Sequence, residues 1–453
     1  MDKDTSILYN DFSMSKLRKQ HMSIDWDNLI DVESHKSAKN APLNEKSALV
    51  GRVGLMMLSV GAGAWRVRAA MNKVSRGMGI ACNADIGLLS IEYTCVDGGE
   101  TYTNAISINT TGVNTDKLHH LRAFADDFSA NAERYSVKQF FDILDEIEHS
   151  LNRYNALQLG FASAVACAAF TFLLGGGPVE MGCAFFGAGI GNFVRRKLLE
   201  RHVTLYANVA LSVACACFAY IGLLKAAEFF FGVSEAHQAG YICSMLFIIP
   251  GFPLITGGID LAKLDLRSGF ERILYSLLII FVATITGWLC AFVFKFAPAD
   301  FIEYEYALWQ TILFRMIASF FAVYGFSLMF NSTARMAVTA GFIGMFANVL
   351  RLELLDFTPV PATLAAFLAA LIAGLLASAT KRVNGYPRLT VTVPSIVIMV
   401  PGMFMYKGIY YVALEDLSTG MLWITKAVMV VCSLSLGLIF ARILTDRNFR
   451  VSS

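Results

Sequence analysis

The sequence predicts an α-helical membrane protein: ten transmembrane helices arranged as two inverted five-helix repeats, with a small cytoplasmic α+β domain at the N-terminus. Three observations predict it. Of 453 residues, 56% are hydrophobic and only 16% charged, and the mean hydropathy is +0.55, outside the balance of soluble globular domains. From Asn155 onward, ten apolar segments approach the ~20 residues that a bilayer-spanning helix needs. Two of them, Phe247–Asp260 (FIIPGFPLITGGID) and Ile398–Tyr411 (IMVPGMFMYKGIYY), cannot be continuous helices. Pro250, Pro253 and Pro401 remove backbone donors there, while Gly251, Gly257, Gly258 and Gly402 loosen what remains.

Residues 1–43 are polar and charged without apolar periodicity, which predicts a flexible tail. The first twenty residues lack the apolar core of a signal peptide, so this segment is expected to stay in the cytoplasm. Residues 44–150 read as the α+β domain. Leu49, Val53, Met56, Met57 and Val60 recur at helical spacing, Gly61-Ala62-Gly63 breaks the pattern, and a second helix follows from Ala64 to about Gly79. Two β-prone runs, 81–95 and 101–111, flank Asp97-Gly98-Gly99-Glu100, a hairpin signal. Asn114 and Ser136 each open a further helix.

The membrane segments are placed near 155–174, 178–194, 204–224, 239–260, 272–295, 308–330, 334–350, 359–379, 390–412 and 419–444. With the N-terminal domain inside, fourteen Lys and Arg residues fall on the inner side; the outer side holds Lys225, Lys295, Arg351 and Lys407. That bias supports both the count and a cytoplasmic location for both termini. The acidic loop Asp300–Glu305 divides the spans into repeats over 151–298 and 305–446. Five spans per half force the second half to enter from the opposite side. Pro401-Gly402 lies 151 positions after Pro250-Gly251, and NVLRLELLD (Asn348–Asp356) lies 156 positions after NFVRRKLLE (Asn192–Glu200). A broken helix at membrane depth survives only where protein or a water-filled cavity covers the break, and paired breaks in two halves point to a transporter's substrate site.

These residues resemble a known family. The stretch GAGAWRVRAAMNKVSRGMGI (Gly61–Ile80) is similar to the Gly-Ala-x-x-x-Arg-Val signature of the threonine/serine exporter family, with Arg66-Val67 at the matching places. IPGFPLITGGIDL (Ile249–Leu261) and VPGM (Val400–Met403) are similar as well, so the resemblance covers about residues 45–445. It departs at Arg68, where the family commonly has an acid, and at Lys407 and Tyr410-Tyr411 in the second broken helix. The resemblance implies a secondary active exporter of small amino acids, threonine or serine, in the bacterial cytoplasmic (inner) membrane. Exporters of dicarboxylates such as succinate are the nearest alternative, and a membrane-bound hydrolase using the soluble domain is a second.

No G-x-x-x-x-G-K-[ST] occurs, so uphill transport is expected to use an ion gradient, with protons as the default. No G-x-S-x-G elbow is present, all seven histidines lie outside the predicted spans, and no metal or cofactor is expected. A net charge of +2 with scattered basic residues excludes a nucleic-acid partner on charge grounds. The expected partners are a small amino acid or carboxylate, protons, membrane lipid and further copies of the chain. The candidate substrate or gating residues are Pro250, Gly251, Pro253, Thr256, Pro401, Gly402 and Lys407 at the breaks, with Thr256 opposite Lys407 when the Pro-Gly pairs are superposed. Asp260 reads either as a coupling group or a solvated helix end, and Arg315 as a carboxylate ligand or a snorkelling cation. Glu180 suits a helix N-terminal cap. Asn192 and Asn348 suit interhelical hydrogen bonds. In the soluble motif, Gly63, Arg66 and Arg68 stand out; Arg66 and Arg68, two apart, are expected on different helix faces.

Overall fold

The computed structural model describes residues 24–33, 35–296, 301–302 and 304–450. The N-terminal domain opens with helices α1 (Leu43–Ser59) and α2 (Ala64–Gly77). Its sheet is antiparallel, β1 (Ala81–Ile86), β2 (Ser90–Asp97) and β3 (Glu100–Ser107) in that order, and α3 (Thr115–Asn131) and α4 (Val137–His149) complete it. The expected hairpin forms: Asp97 pairs with Glu100 across Gly98-Gly99, with Gly98 at φ 60°. The first β-prone run is two strands rather than one, because the chain reverses at Gly87, whose N–H donates to Ser90 O at 2.8 Å. Asn114 caps α3, and Ser136 with Gln139 forms a capping box on α4.

The domain core lies between α1 and the sheet. Tyr93 Oη donates to Ser47 O at 3.0 Å, and a Cβ at Gly51 would lie 2.1 Å from that hydroxyl. Arg52, buried, binds α4 through Asp145 (2.5 Å) and Glu148 (3.1 Å). Before α1, Trp26 packs edge-on against Phe141 and Ser37 bridges to Ser136. The polar segment therefore joins the domain ahead of residue 43; residues 1–23 of the expected tail lie outside the described residues.

The membrane part runs α5 (Ala156–Leu173), α6 (Pro178–Glu200), α7 (Leu205–Phe231), α8 (Tyr241–Ser244), α9 (Gly251–Ala262) and α10 (Leu266–Val293), then α11 (Leu308–Met329), α12 (Ala334–Phe357), α13 (Ala362–Asn384), α14 (Arg388–Val397), α15 (Gly402–Ala413), α16 (Leu417–Thr445) and α17 (Arg447–Arg450). Among the described residues, seven helices are long and apolar enough to cross a membrane, and up to nine spans result if each of two bent pairs counts as one. The bent pairs are His237–Ile248 with α9, at 59°, and α14 with α15, at 53°. Helix α6 has 23 residues but carries Glu180, Asn192 and Arg195-Arg196-Lys197, which lowers its apolarity. Its glycines let neighbours close in: a Cβ at Gly191 would lie 2.7 Å from Ala216 Cβ and 2.8 Å from Phe247 Cζ.

Backbone details recur at the two sequence offsets. Leu264 and Glu415, 151 apart, turn through φ 64° and 65°; Gly175 and Asn331, 156 apart, turn through φ 102° and 60°. Gly176 N–H donates to Thr171 O at 2.9 Å, and Ser332 N–H donates to Ser327 O at 3.2 Å, closing α5 and α11 in the same way.

Candidate functional site

The two Pro-Gly breaks have nearly the same shape. Pro250 sits at φ −81°, ψ 59° and Pro401 at φ −80°, ψ 58°. Gly251 N–H donates to Ile249 O and Gly402 N–H to Val400 O, each at 2.8 Å, so each proline centres an inverse γ-turn. The breaks also pack against one another. A Cβ at Gly251 would lie 2.6 Å from Val397 and 3.2 Å from Val400, while one at Gly402 would lie 3.2 Å from both Leu246 and Ile249. These contacts are reciprocal, since Leu246 and Ile249 correspond to Val397 and Val400 at the 151 offset. Both α9 and α15 thus begin at this crossing, bringing two helix N-termini to buried backbone.

Thr256, buried on α9, donates its hydroxyl back to Phe252 O at 3.0 Å, which leaves its acceptor lone pairs. Lys407 on α15 sits instead over the Trp423 ring at 5.1 Å, against α16. Asn192 and Asn348 are both fully buried and make the expected interhelical bonds, to Leu159 O at 2.8 Å and to Ser319 Oγ at 2.9 Å. Among the described residues, no group donates to their Oδ1 atoms. Arg315 pairs with Glu353 at 2.8 Å and Asp356 at 2.5 Å on α12.

Asp260 is not a solvated helix end. It is 1% exposed and stands at the junction with the N-terminal domain. Its Oδ2 accepts from Ala64 N at 3.1 Å and Ser268 Oγ at 3.1 Å, and pairs with Arg272 Nε at 3.2 Å. Arg272 in turn donates from Nη2 to Ala62 O at 2.6 Å. A carboxylate from α9 therefore caps α2, and an arginine from α10 holds the preceding turn. Gly63 has no Cβ because one would lie 2.7 Å from Asp260 Oδ1. Arg68 Nη2 reaches Asp265 Oδ1 at 2.7 Å, and Arg267 reaches Asp85 and Glu92 at 2.7 and 3.0 Å. On the other half, Thr115 N–H donates to Phe330 O at 3.0 Å and Asn331 Nδ2 to Asn114 Oδ1 at 3.1 Å. The domain is thus bound to the loops after both α9 and α11.

Arg66 makes none of these contacts and faces a cavity, and Arg68 reaches the rim of the same cavity. Side-chain length, rather than helix face, decides their placement. Two groups escaped sequence reasoning. Arg272 reads as one of many inner-side cations, and only the fold brings it to Asp260. Glu180 does cap its helix, its Oε2 accepting from Gly177 N–H at 3.0 Å, but its Oε1 also lies 2.7 Å from His237 Nδ1. Both residues are buried; His237 precedes the predicted span by two residues, so its burial carried no sequence signal.

A threonine/serine exporter family model, ThrE, matches residues 48–295, more than half of the chain. A second, "Threonine/Serine exporter, ThrE", matches residues 315–444. Among curated proteins, the chain is 25% identical over 227 residues to the "Probable succinate transporter subunit YjjP" of Escherichia coli, covering 48% of this chain and 83% of the relative. The Klebsiella aerogenes protein of the same name is 23% identical over 227 residues, covering 48% and 82%. No solved structure matches.

Proposed function

The chain belongs to the threonine/serine exporter family, a family of membrane transporters rather than enzymes, and from that premise we propose that it exports a small carboxylate-bearing metabolite, threonine or serine, across the bacterial cytoplasmic membrane. In this reading α5–α10 and α11–α16 are two inverted five-helix halves, α6 included, and the crossing of the two breaks is the substrate site. The reciprocal packing of Gly251 on Val397 and Val400, and of Gly402 on Leu246 and Ile249, carries it. Two helix N-termini aimed at buried backbone favour a carboxylate. The orphaned Oδ1 atoms of Asn192 and Asn348, and the acceptor side of Thr256, suit an ammonium or hydroxyl group.

Proton coupling fits the buried Glu180–His237 pair, the one carboxylate–imidazole contact under 3 Å among the described residues. The N-terminal domain, anchored on Asp260 and Arg272 and on the α11–α12 turn, gates the crossing rather than binding the substrate centrally. Succinate is the second substrate reading, favoured by the name of the YjjP relatives. Counterflow of labelled threonine, serine and succinate in proteoliposomes separates these readings; absence of flux for all three refutes the proposal.

A further inference from the structure

We propose that the junction between the N-terminal domain and the membrane helices holds a second ligand site, apart from the crossing, which takes a phosphate-bearing anion. The cavity there has a volume of about 440 Å³, within the usual range of small-molecule sites. Its walls come from both parts of the molecule: α2 and α3 on one side, the start of α14 and the end of α16 on the other. Seven cations line it, namely Arg66, Arg68, Lys73, Arg76, Arg122, Arg388 and Arg442, against two carboxylates, Asp126 and Asp446.

Charge pairing inside the protein does not account for Arg66, Arg76 and Arg442. Arg68 is engaged by Asp265, and Asp126 serves both Lys73 and Arg122. Among the described residues no carboxylate lies within ion-pair distance of Arg66, Arg76 or Arg442, and the buried Nε of Arg442 has no hydrogen-bond partner. Arg442 is nevertheless held in place, its guanidinium 4.4 Å from the Trp65 ring and 4.7 Å from the Phe449 ring. Arg66 stands 5.7 Å from the same tryptophan. Burial, with Arg442 and Arg122 close by, pushes the Arg66 guanidinium well below its ordinary value. Guanidiniums fixed side by side with no carboxylate in ion-pair contact are arranged for a multivalent anion, and their planar forks match phosphate oxygens. An anion there would tie α2, whose first turn is capped by Asp260, to α14, which runs into the second break, and to α16, which follows the helix leaving it. Its occupancy would set how firmly the domain is docked.

The phosphate could belong to a soluble metabolite or to a phospholipid headgroup, and the test separates them. Thermal unfolding of the full-length protein is followed in nanodiscs of phosphatidylcholine alone, with pyrophosphate, ATP or succinate titrated in, and in nanodiscs that also contain phosphatidylglycerol. The site predicts a saturable rise in melting temperature with pyrophosphate or ATP and none with succinate, or, for a headgroup, a rise that requires phosphatidylglycerol. Replacing one charge-assisted contact by Arg66→Gln should weaken the apparent affinity roughly tenfold, and the exposed rim variant Arg76→Gln should weaken it without loss of folding. No saturable stabilisation by any phosphate source, equal stabilisation by succinate, or affinity unchanged in both variants overturns the proposal.

Discussion

The Asp260–Arg272 pair should behave as one coupled unit: losing either charge alone is costly, and losing both costs less than the two single losses summed. Both residues are about 2% exposed or less, so neither charge is solvated when its partner is lost. Truncating one member of a buried pair typically costs ~3–5 kcal/mol. Arg272→Met also leaves Ala62 O without the donor that now lies at 2.6 Å. Asp260→Asn keeps an acceptor for Ala64 N and so isolates the charge. Each single variant is expected near the cost of a broken pair, and the double variant is expected to cost less than their sum by at least ~2 kcal/mol. Reversible unfolding in mixed micelles, read by tryptophan fluorescence, gives the four values of the cycle. Strictly additive losses would refute the coupling, as would singles within ~0.5 kcal/mol of wild type.

Further outcomes follow from other contacts. Arg315→Met should lower stability by about 1–2 kcal/mol, because its partners are only partly buried, while leaving substrate affinity intact; a large rise in the concentration for half-maximal flux would return Arg315 to the substrate path. Glu180→Gln and His237→Gln should abolish accumulation driven by a pH gradient yet retain counterflow, and gradient-driven uptake in both variants would remove the pair from coupling. His119, half-buried beside Tyr386, has an imidazole held below its usual value, chiefly by burial and then by His120. Its folded value lies below the unfolded one, so its contribution is present above the unfolded pKa and is lost as pH falls through and below it. Melting curves from pH 8 to pH 5 should therefore flatten in His119→Phe, and an unaltered slope would refute the assignment.

Local chemistry explains what the sequence revealed. Asn114, Ser136 and Asp97-Gly98-Gly99-Glu100 determine helix starts and a turn within a few residues, and they were legible for that reason. The breaks were legible because proline removes a donor whatever the surroundings. Residues whose roles depend on partners far along the chain were not: Asp260 meets Ala64 and Arg315 meets Glu353 only through the fold, and helix position alone left two readings for each. Superposing the Pro-Gly pairs sets Thr256 opposite Lys407 in sequence, but the register says nothing of where either side chain packs, and Lys407 packs on Trp423. The β1–β2 turn was missed because Gly87-Leu88-Leu89 interrupts an apolar run with one weak signal.

The account stands most directly on the crossing of the breaks. Initial rates of threonine, serine and succinate counterflow should be compared, at matched protein level and melting temperature, between wild type, Gly402→Ala and the lipid-facing control Phe186→Leu, exposed on α6. A Cβ at residue 402 meets Leu246 and Ile249 at 3.2 Å, so the account predicts that the transported substrate loses most of its flux in Gly402→Ala and none in the control. Wild-type flux in Gly402→Ala would contradict it.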